Sequence, residues 1–244
     1  MSKEASLRQL LTLQSWTSAA FPTGAFSCSH GLETAIQHGN VHDLDSCHDW
    51  IHAIVTQGSG WNDSIIMAQA HRLSQSLVFD NAGSLSSAQA DQPSLQALRE
   101  LNDLALALQS GAERHAETTQ LAAAFLASAA AWQAPETSHW HEPDEDVALA
   151  VACGWLGARH AIPVQLLIAS TLQSMSSNLA WIATRLVPLG QTSCLQLIAR
   201  LEPVIESVSL EASLATQDDL GSGTLLADLA SLQHEQLAGR VCLT

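Results

Sequence analysis

Residues 43–58 read Asp-Leu-Asp-Ser-Cys-His-Asp-Trp-Ile-His-Ala-Ile-Val-Thr-Gln-Gly. Asp43 is a residue type that caps helix N-termini, because its carboxylate accepts the otherwise unpaired N–H groups of the first turn. Behind it Leu44, Cys47, Ile51, Ile54 and Val55 recur at spacings of three and four, which puts them on one helical stripe. Gly58-Ser59-Gly60 then breaks the helix. An alternating apolar–polar pattern, as a half-buried strand would need, is absent from this stretch.

The same period extends in both directions. Upstream, Leu7, Leu10, Leu11 and Leu13 mark a helix over 6–16, ended by a turn at Phe21-Pro22-Thr23-Gly24. A second helix is expected to begin at Ser27 or Ser29 and run through Leu32 and Ile36 to Gly39-Asn40. Downstream, helical patterns cover 62–77, 95–108, 113–132, 147–158, 164–187 and 192–214, the last expected to kink at Pro203. A short terminal helix is expected over 225–237. Residues 79–93 and 133–146 read as mobile loops, the second solvated and rich in acids, and 209–222 reads as a loose linker. Composition agrees: 37 Leu and 38 Ala against 20 Val plus Ile, with no Tyr, 13 Gly and 7 Pro. Straight-chain and small residues favour helices over sheets. The expected fold class is all-α, a single compact helical domain of roughly ten helices spanning 1–220, with a C-terminal partner-binding tail over 221–244.

Twenty-four acidic residues against nine basic ones give a formal net charge of -15, and Lys3 is the only lysine. Nucleic acid and anionic membrane surfaces both call for clustered Lys and Arg, so neither is an expected partner. Cys28, Cys47, Cys153, Cys194 and Cys242 are scattered with no C-x-x-C pair, which suggests neither a disulfide framework nor a zinc site. The apolar residues near the N-terminus are interrupted too early for a signal-peptide core, and a cytoplasmic location is expected.

The sequence contains no G-x-x-x-x-G-K-[ST] loop, no G-x-S-x-G, no H-E-x-x-H and no G-x-G-x-x-G. No catalytic residue and no cofactor-binding motif is nominated, so the chain is not read as an enzyme. His48 and His52, four apart on a helix, are weak metal-ligand candidates lacking an obvious third ligand. A metal-dependent helical enzyme built on them, or a generic helical scaffold, is the rival reading.

Four stretches together resemble the urease accessory protein UreF family. The first is Phe21-Pro22-Thr23-Gly24-Ala25-Phe26-Ser27-Cys28-Ser29-His30-Gly31-Leu32-Glu33. The second is Glu113-Arg114-His115-Ala116-Glu117-Thr118, the third Arg185-Leu186-Val187-Pro188-Leu189-Gly190-Gln191-Thr192, and the fourth Asp228-Leu229-Ala230-Ser231-Leu232-Gln233-His234-Glu235. Cys28 stands where the family usually has Tyr, and Leu232 where Met is common. The resemblance implies an all-α homodimer that binds UreD (also called UreH), recruits the GTPase UreG and docks on apo-urease subunits. It also implies a role in gating or coupling GTP hydrolysis to nickel insertion. By the same resemblance, Pro22, Gly24, Phe26, Ser27, Ser29, Gly31, Glu33, Arg185, Pro188, Gly190, Gln191, Asp228, His234 and Glu235 are partner-binding candidates.

A structural reading of the same residues stays open. Pro22–Gly24 can be a turn, Ser27 and Ser29 helix caps, and Arg185 a cation–π partner of Trp181. The residues 228–235 can be an ordinary end helix. Gly31 and Glu33, expected early in a helix, would add little to packing there, which favours a partner role for them.

Overall fold

The computed structural model describes residues 6–77, 92–132, 140–142 and 144–244. Ten α-helices are present among them: α1 (Leu7–Trp16), α2 (Leu32–Gln37), α3 (Leu44–Gln57), α4 (Ser59–Ser76), α5 (Gln92–Ala107), α6 (Ala112–Ala129), α7 (Leu149–Arg159), α8 (Val164–Leu186), α9 (Gln191–Leu214) and α10 (Leu225–His234). No strand occurs among the described residues, and one continuous core cluster runs from Leu13 to Cys242. The protein is all-α and folds as a single domain. No described helix is long and apolar enough to cross a membrane.

The 43–58 stripe behaves as its pattern dictates. The Asp43 carboxylate accepts the Ser46 N–H at 2.8 Å, while the Ser46 hydroxyl accepts the Asp43 N–H at 3.0 Å. This reciprocal cap satisfies two groups that the helix itself cannot. Cys47, Ile51, Ile54 and Val55 then turn inward. Ser6 and Gln9 make the same kind of box at the start of α1.

The centre of the fold is α4, which packs against α3, α5, α7, α8 and α9. Its neighbour α7 is buried along almost its whole length, from Ala150 to Gly157. Gly154 makes that possible. A Cβ there would lie 2.4 Å from the Met67 carbonyl oxygen and 2.8 Å from the Ala70 Cβ, so any larger residue would push the two helices apart. At one end Trp16 meets Phe125 edge-on at 5.4 Å, and Phe21 lies against Phe125 and Trp132.

Several expectations need correction. The helix α4 starts at Ser59, three residues before the expected position, because Gly58 alone makes the break. Helix α9 runs from Gln191 to Leu214 with Pro203 inside it, so 209–214 is helical, with Ser209, Ala212 and Ser213 buried. The rest of the expected linker is tied down. The Trp61 indole donates to the Asp219 carbonyl at 2.9 Å, Gly221 N–H to the Asn62 side chain at 3.0 Å, and Gly223 N–H to the Gln57 carbonyl at 2.8 Å. The stretch 133–146 is not wholly solvated, since Trp140 is buried and its carbonyl accepts from Arg99. The Asn102 amide takes the Asp146 carbonyl and the Ala148 N–H, which anchors the entry to α7. The 79–93 expectation falls mostly outside the described residues, as do 133–139 and 143; Gln92 and Pro93 open α5.

Candidate functional site

The first signature stretch does not form the expected helix from Ser27 or Ser29. A 3-10 turn over Ala25–Ser27 is followed by extended backbone and two left-handed residues, His30 (φ 51°) and Gly31 (φ 77°), before α2 begins at Leu32. The cause is a competing partner, the chain's own C-terminal segment. Ser29 N–H donates to the Thr244 carbonyl at 2.7 Å, and Leu243 N–H to the Ser27 carbonyl at 2.8 Å. Gly31 sits against α10, where a Cβ would fall 2.7 Å from the Ser231 nitrogen and 2.8 Å from the Ala227 oxygen. Its positive φ and this close approach both call for glycine. Its value is packing, contrary to the sequence expectation.

Glu33 is buried as well, and its carboxylate is the centre of the junction. One oxygen accepts the Val241 N–H at 2.8 Å; the other accepts the Cys242 N–H at 2.8 Å and lies 3.3 Å from His234 Nε2. Burial pushes the Glu33 carboxyl up, but these donors outweigh it and hold the group below its ordinary value. His234, fully buried, also places Nδ1 2.7 Å from Glu113 Oε2. The other Glu113 oxygen pairs with Arg240. Next to His234, Glu235 caps α6, accepting the Ala112 N–H at 3.1 Å and the Glu113 N–H at 3.5 Å. Asp228 accepts the Ser222 hydroxyl at 3.0 Å.

A second ionic cluster lies behind the first. Arg114 and Glu117, both buried, form an ion pair one turn apart on α6, and Glu117 also takes the Thr244 hydroxyl. His30 Nε2 stands 3.1 Å from the same carboxylate. Burial opposes ionisation of Glu117, yet Arg114 and His30 hold its carboxyl far below the usual range. Between α10 and α4 a cavity of about 240 Å³ is lined by His30, Asp63, Arg114, Thr224, Asp228 and Ser231. Burial there pushes the Asp63 carboxyl up.

The structure therefore brings Ser29, Gly31, Glu33, Asp228, His234 and Glu235 together, but as the seat of the chain's own tail. Around them Pro22 and Phe26 are exposed, Phe26 at 62 %, on a turn that α8 holds: the Asn178 amide donates to the Ala25 carbonyl at 2.7 Å. Gly24 (φ 84°) accepts the Ser27 hydroxyl at 3.0 Å. Arg185 is exposed on the last turn of α8, with its guanidinium 3.4 Å from the carbonyls of Trp181 and Phe26. It links the third stretch to the first. Pro188, Gly190 and Gln191 are exposed on the α8–α9 turn, outside the junction. His48 and His52 stack obliquely at 5.8 Å on α3, and no group of three or more His, Cys, Asp or Glu able to hold a metal occurs among the described residues.

Arg114 and Glu117 enter the sequence reading only within the second stretch and His30 only within the first, and neither they nor Arg240 are named as site residues. The available signal was that 113–118 places a charged pair at i, i+3 on a segment whose neighbours are core residues. What the tail leaves outward is equally informative. Leu225 and Leu226 are each 70 % exposed, and Leu229 and Leu232 more than 40 %, while the inward face of α10 is Ala230, Ser231 and His234. An amphipathic helix on its own core points the other way.

The fold and site define an all-α chain whose most elaborate polar site seats its own terminal helix, with leucines left outward. Comparison with known proteins identifies the family: the model of the UreF family matches residues 41–202, and the chain belongs to that family. The chain is 37% identical over 227 residues (93% of this chain, 88% of the relative) to the urease accessory protein UreF of Bradyrhizobium sp.. The relative of the same name from Agrobacterium fabrum is 36% identical over 241 residues, 99% of each chain. A third, from Brucella ovis, is 34% identical over 232 residues, 95% of this chain and 92% of the relative. The Agrobacterium fabrum alignment covers 99% of this chain and so takes in the signature and the tail, which lie outside 41–202.

Proposed function

We propose that this chain is a non-enzymatic urease maturation factor. In this reading it acts in the cytoplasm as a homodimer, binding UreD (UreH), the GTPase UreG and apo-urease, and it couples GTP hydrolysis on UreG to delivery of nickel as cargo. The observation that carries the reading is the exposed leucine face of α10, held in place by a polar junction that uses the signature residues. Leucines presented on a docked helix suit a helix-in-groove or helix-on-face partner. The division of labour also fits the sequence. A phosphate loop needs a lysine after its glycines, and the only lysine is Lys3. GTP chemistry therefore belongs to the partner.

The residue roles separate accordingly. Ser29, Gly31, Glu33, His234 and Glu235 act on partners indirectly, by fixing the pose of α10. Phe26, Arg185, Pro188, Gly190 and Gln191 are exposed and suit direct contact; the planar, permanently charged guanidinium of Arg185 matches an interface carboxylate. The test is size-exclusion of the full chain and of a chain lacking residues 221–244, each mixed with UreD and then with UreG. The full chain is expected to co-elute with both partners, and the shortened one to lose UreD. Co-elution of the shortened chain with UreD would overturn the role given to α10.

A further inference from the structure

We propose that His48 and His52 on α3 form a two-imidazole chelate for a borderline divalent metal ion of the nickel, copper and zinc kind. Imidazole nitrogens suit these ions, whereas calcium and magnesium take oxygen ligands. Such a site would exist whether or not the chain serves urease maturation.

The helix supplies the spacing. Residues four apart on an α-helix share one face, with their Cβ atoms about 6 Å apart. His48 and His52 keep that arrangement out to their rings, whose centroids are 5.8 Å apart and whose planes are inclined by 34°. Two imidazoles on one ion, with metal–nitrogen bonds of ~2.1 Å at a tetrahedral or octahedral angle, have their ring centres about 5 Å apart. A small side-chain rotation covers the difference. His48 also has an orienting partner, since its Nδ1 lies 3.2 Å from Asp49 Oδ1. A carboxylate oxygen only accepts, so the hydrogen of that contact sits on Nδ1 and Nε2 is left as the ligand atom. Metal-bound histidines are held by carboxylates through their other nitrogen in the same way.

The rest of α3 keeps the pair in place. Asp43 caps its start, and Cys47, Ile51, Ile54 and Val55 fix it to the core. Both histidines are partly exposed, so an ion and its waters can reach them. The surroundings favour a cation. Arg200 is already paired with Asp45 at 2.8 Å, Asp49 stands beside His48, and His52 shares with Glu211 a groove against α9. The net charge of -15 adds to the same field. Spacing alone does not make the site. His38 and His42 are also four apart, but α2 ends at Gln37 and Gly39 turns left-handed (φ 77°), so no helix holds those two side by side.

No third His, Cys, Asp or Glu completes the set among the described residues. Two protein ligands leave the other positions to water or to a ligand from another molecule. Half the ligands of a structural zinc site bring about half its binding free energy, which corresponds to a Kd between about 1 µM and about 1 mM. An ion held so loosely is passed on readily; it is not a resident cofactor.

The test adds Ni²⁺ alone to the full-length ¹⁵N-labelled chain, because the octahedral ion is paramagnetic and broadens nearby signals. Broadening is expected first in residues 45–56 and, across the groove, in 203–211, saturating at one ion per chain. Zn²⁺ should displace the Ni²⁺ and relieve the broadening, and Mg²⁺ should not. His48→Ala and His52→Ala should each weaken binding by at least about tenfold, since either leaves a single imidazole without the chelate gain. His42→Ala should leave it unchanged. Broadening centred on another histidine, displacement by Mg²⁺ as readily as by Zn²⁺, or a Kd that neither α3 substitution moves would each overturn the inference. If the alanine variants fail to fold, the broadening map and the Zn²⁺ and Mg²⁺ competition on the unaltered chain decide alone.

Discussion

Helices α7 and α10 are nearly equal in length, 11 and 10 residues, yet they are held by opposite means. In α7 eight consecutive residues, Ala150–Gly157, are buried, and the contact with α4 depends on the missing side chain of Gly154. Only three residues of α10 are buried, two of them small and the third a histidine between carboxylates, while four leucines remain outside. Shape fixes the first; charge and hydrogen bonds fix the second. The two buried histidines among the described residues repeat the contrast. His71 on α4 donates a single 2.8 Å bond to the Ile162 carbonyl, and burial pushes its ring toward the neutral form. His234 faces an acceptor on each side. The lesson is that this molecule keeps its immovable element apolar and its presented element polar on the inside.

The largest effect should come from breaking the shape-held side. Gly154→Val places methyl groups where even a Cβ would lie 2.4 Å from the Met67 oxygen, a backbone atom that cannot turn aside. Overpacking of this kind costs about 3 kcal/mol or more. Urea denaturation should show the midpoint collapse with a single transition, or no folded protein at all. A midpoint near that of the unaltered chain would show that α4 and α7 are not closely keyed.

On the charge-held side the effect should be smaller and local. Glu33→Gln replaces one acceptor oxygen with an NH₂ group, which faces the tail N–H groups with a donor and takes the carboxylate away from His234 Nε2. Unpaired buried polar groups cost about 1–3 kcal/mol each. That loss should open the α10 segment and not the core. Hydrogen exchange should therefore lose protection over 225–243 while α4 and α7 keep theirs. Equal loss in both regions would mean that the tail and core form one cooperative unit, and the comparison would dissolve.

The two sides also differed in how far they could be read in advance. The periodicity of 43–58 and its Asp43 cap were local, and the observed helix follows them closely. The order of ten helices was legible for the same reason. What could not be read was long-range. Ser27–Ser29 has the residues of a helix start, but its backbone pairs with a segment more than 200 residues away, and no local pattern encodes that. The 209–222 stretch read as loose because it is polar, although carbonyls and an N–H group along it are taken by Arg72, Trp61 and Asn62. Of the candidate residues, Glu33 and His234 were named for partner binding with no sign in the sequence that both are buried. A carboxylate and a histidine look like surface residues until each supplies the other's partner.

The smallest effect on the fold, and the largest on assembly, is expected outside α10. In the double variant Leu226→Gln, Leu229→Gln, two apolar side chains that are 70 % and 44 % exposed are replaced by a polar one of similar helix propensity. Neither faces the junction, which uses Ala230, Ser231 and His234. The melting transition should therefore move by no more than about 0.5 kcal/mol, the range of ordinary surface changes. Exchange protection of α10 should likewise survive. Co-elution with UreD is the discriminating readout, because removing two central apolar contacts from an interface removes more binding than any polar rim residue would. Loss of the complex with an unchanged melt assigns the leucine face to the partner. A variant that melts well below the unaltered chain would place those leucines in this protein's own packing. Unchanged co-elution would leave α10 as a strut and move the contact surface to Phe26, Arg185 and the α8–α9 turn.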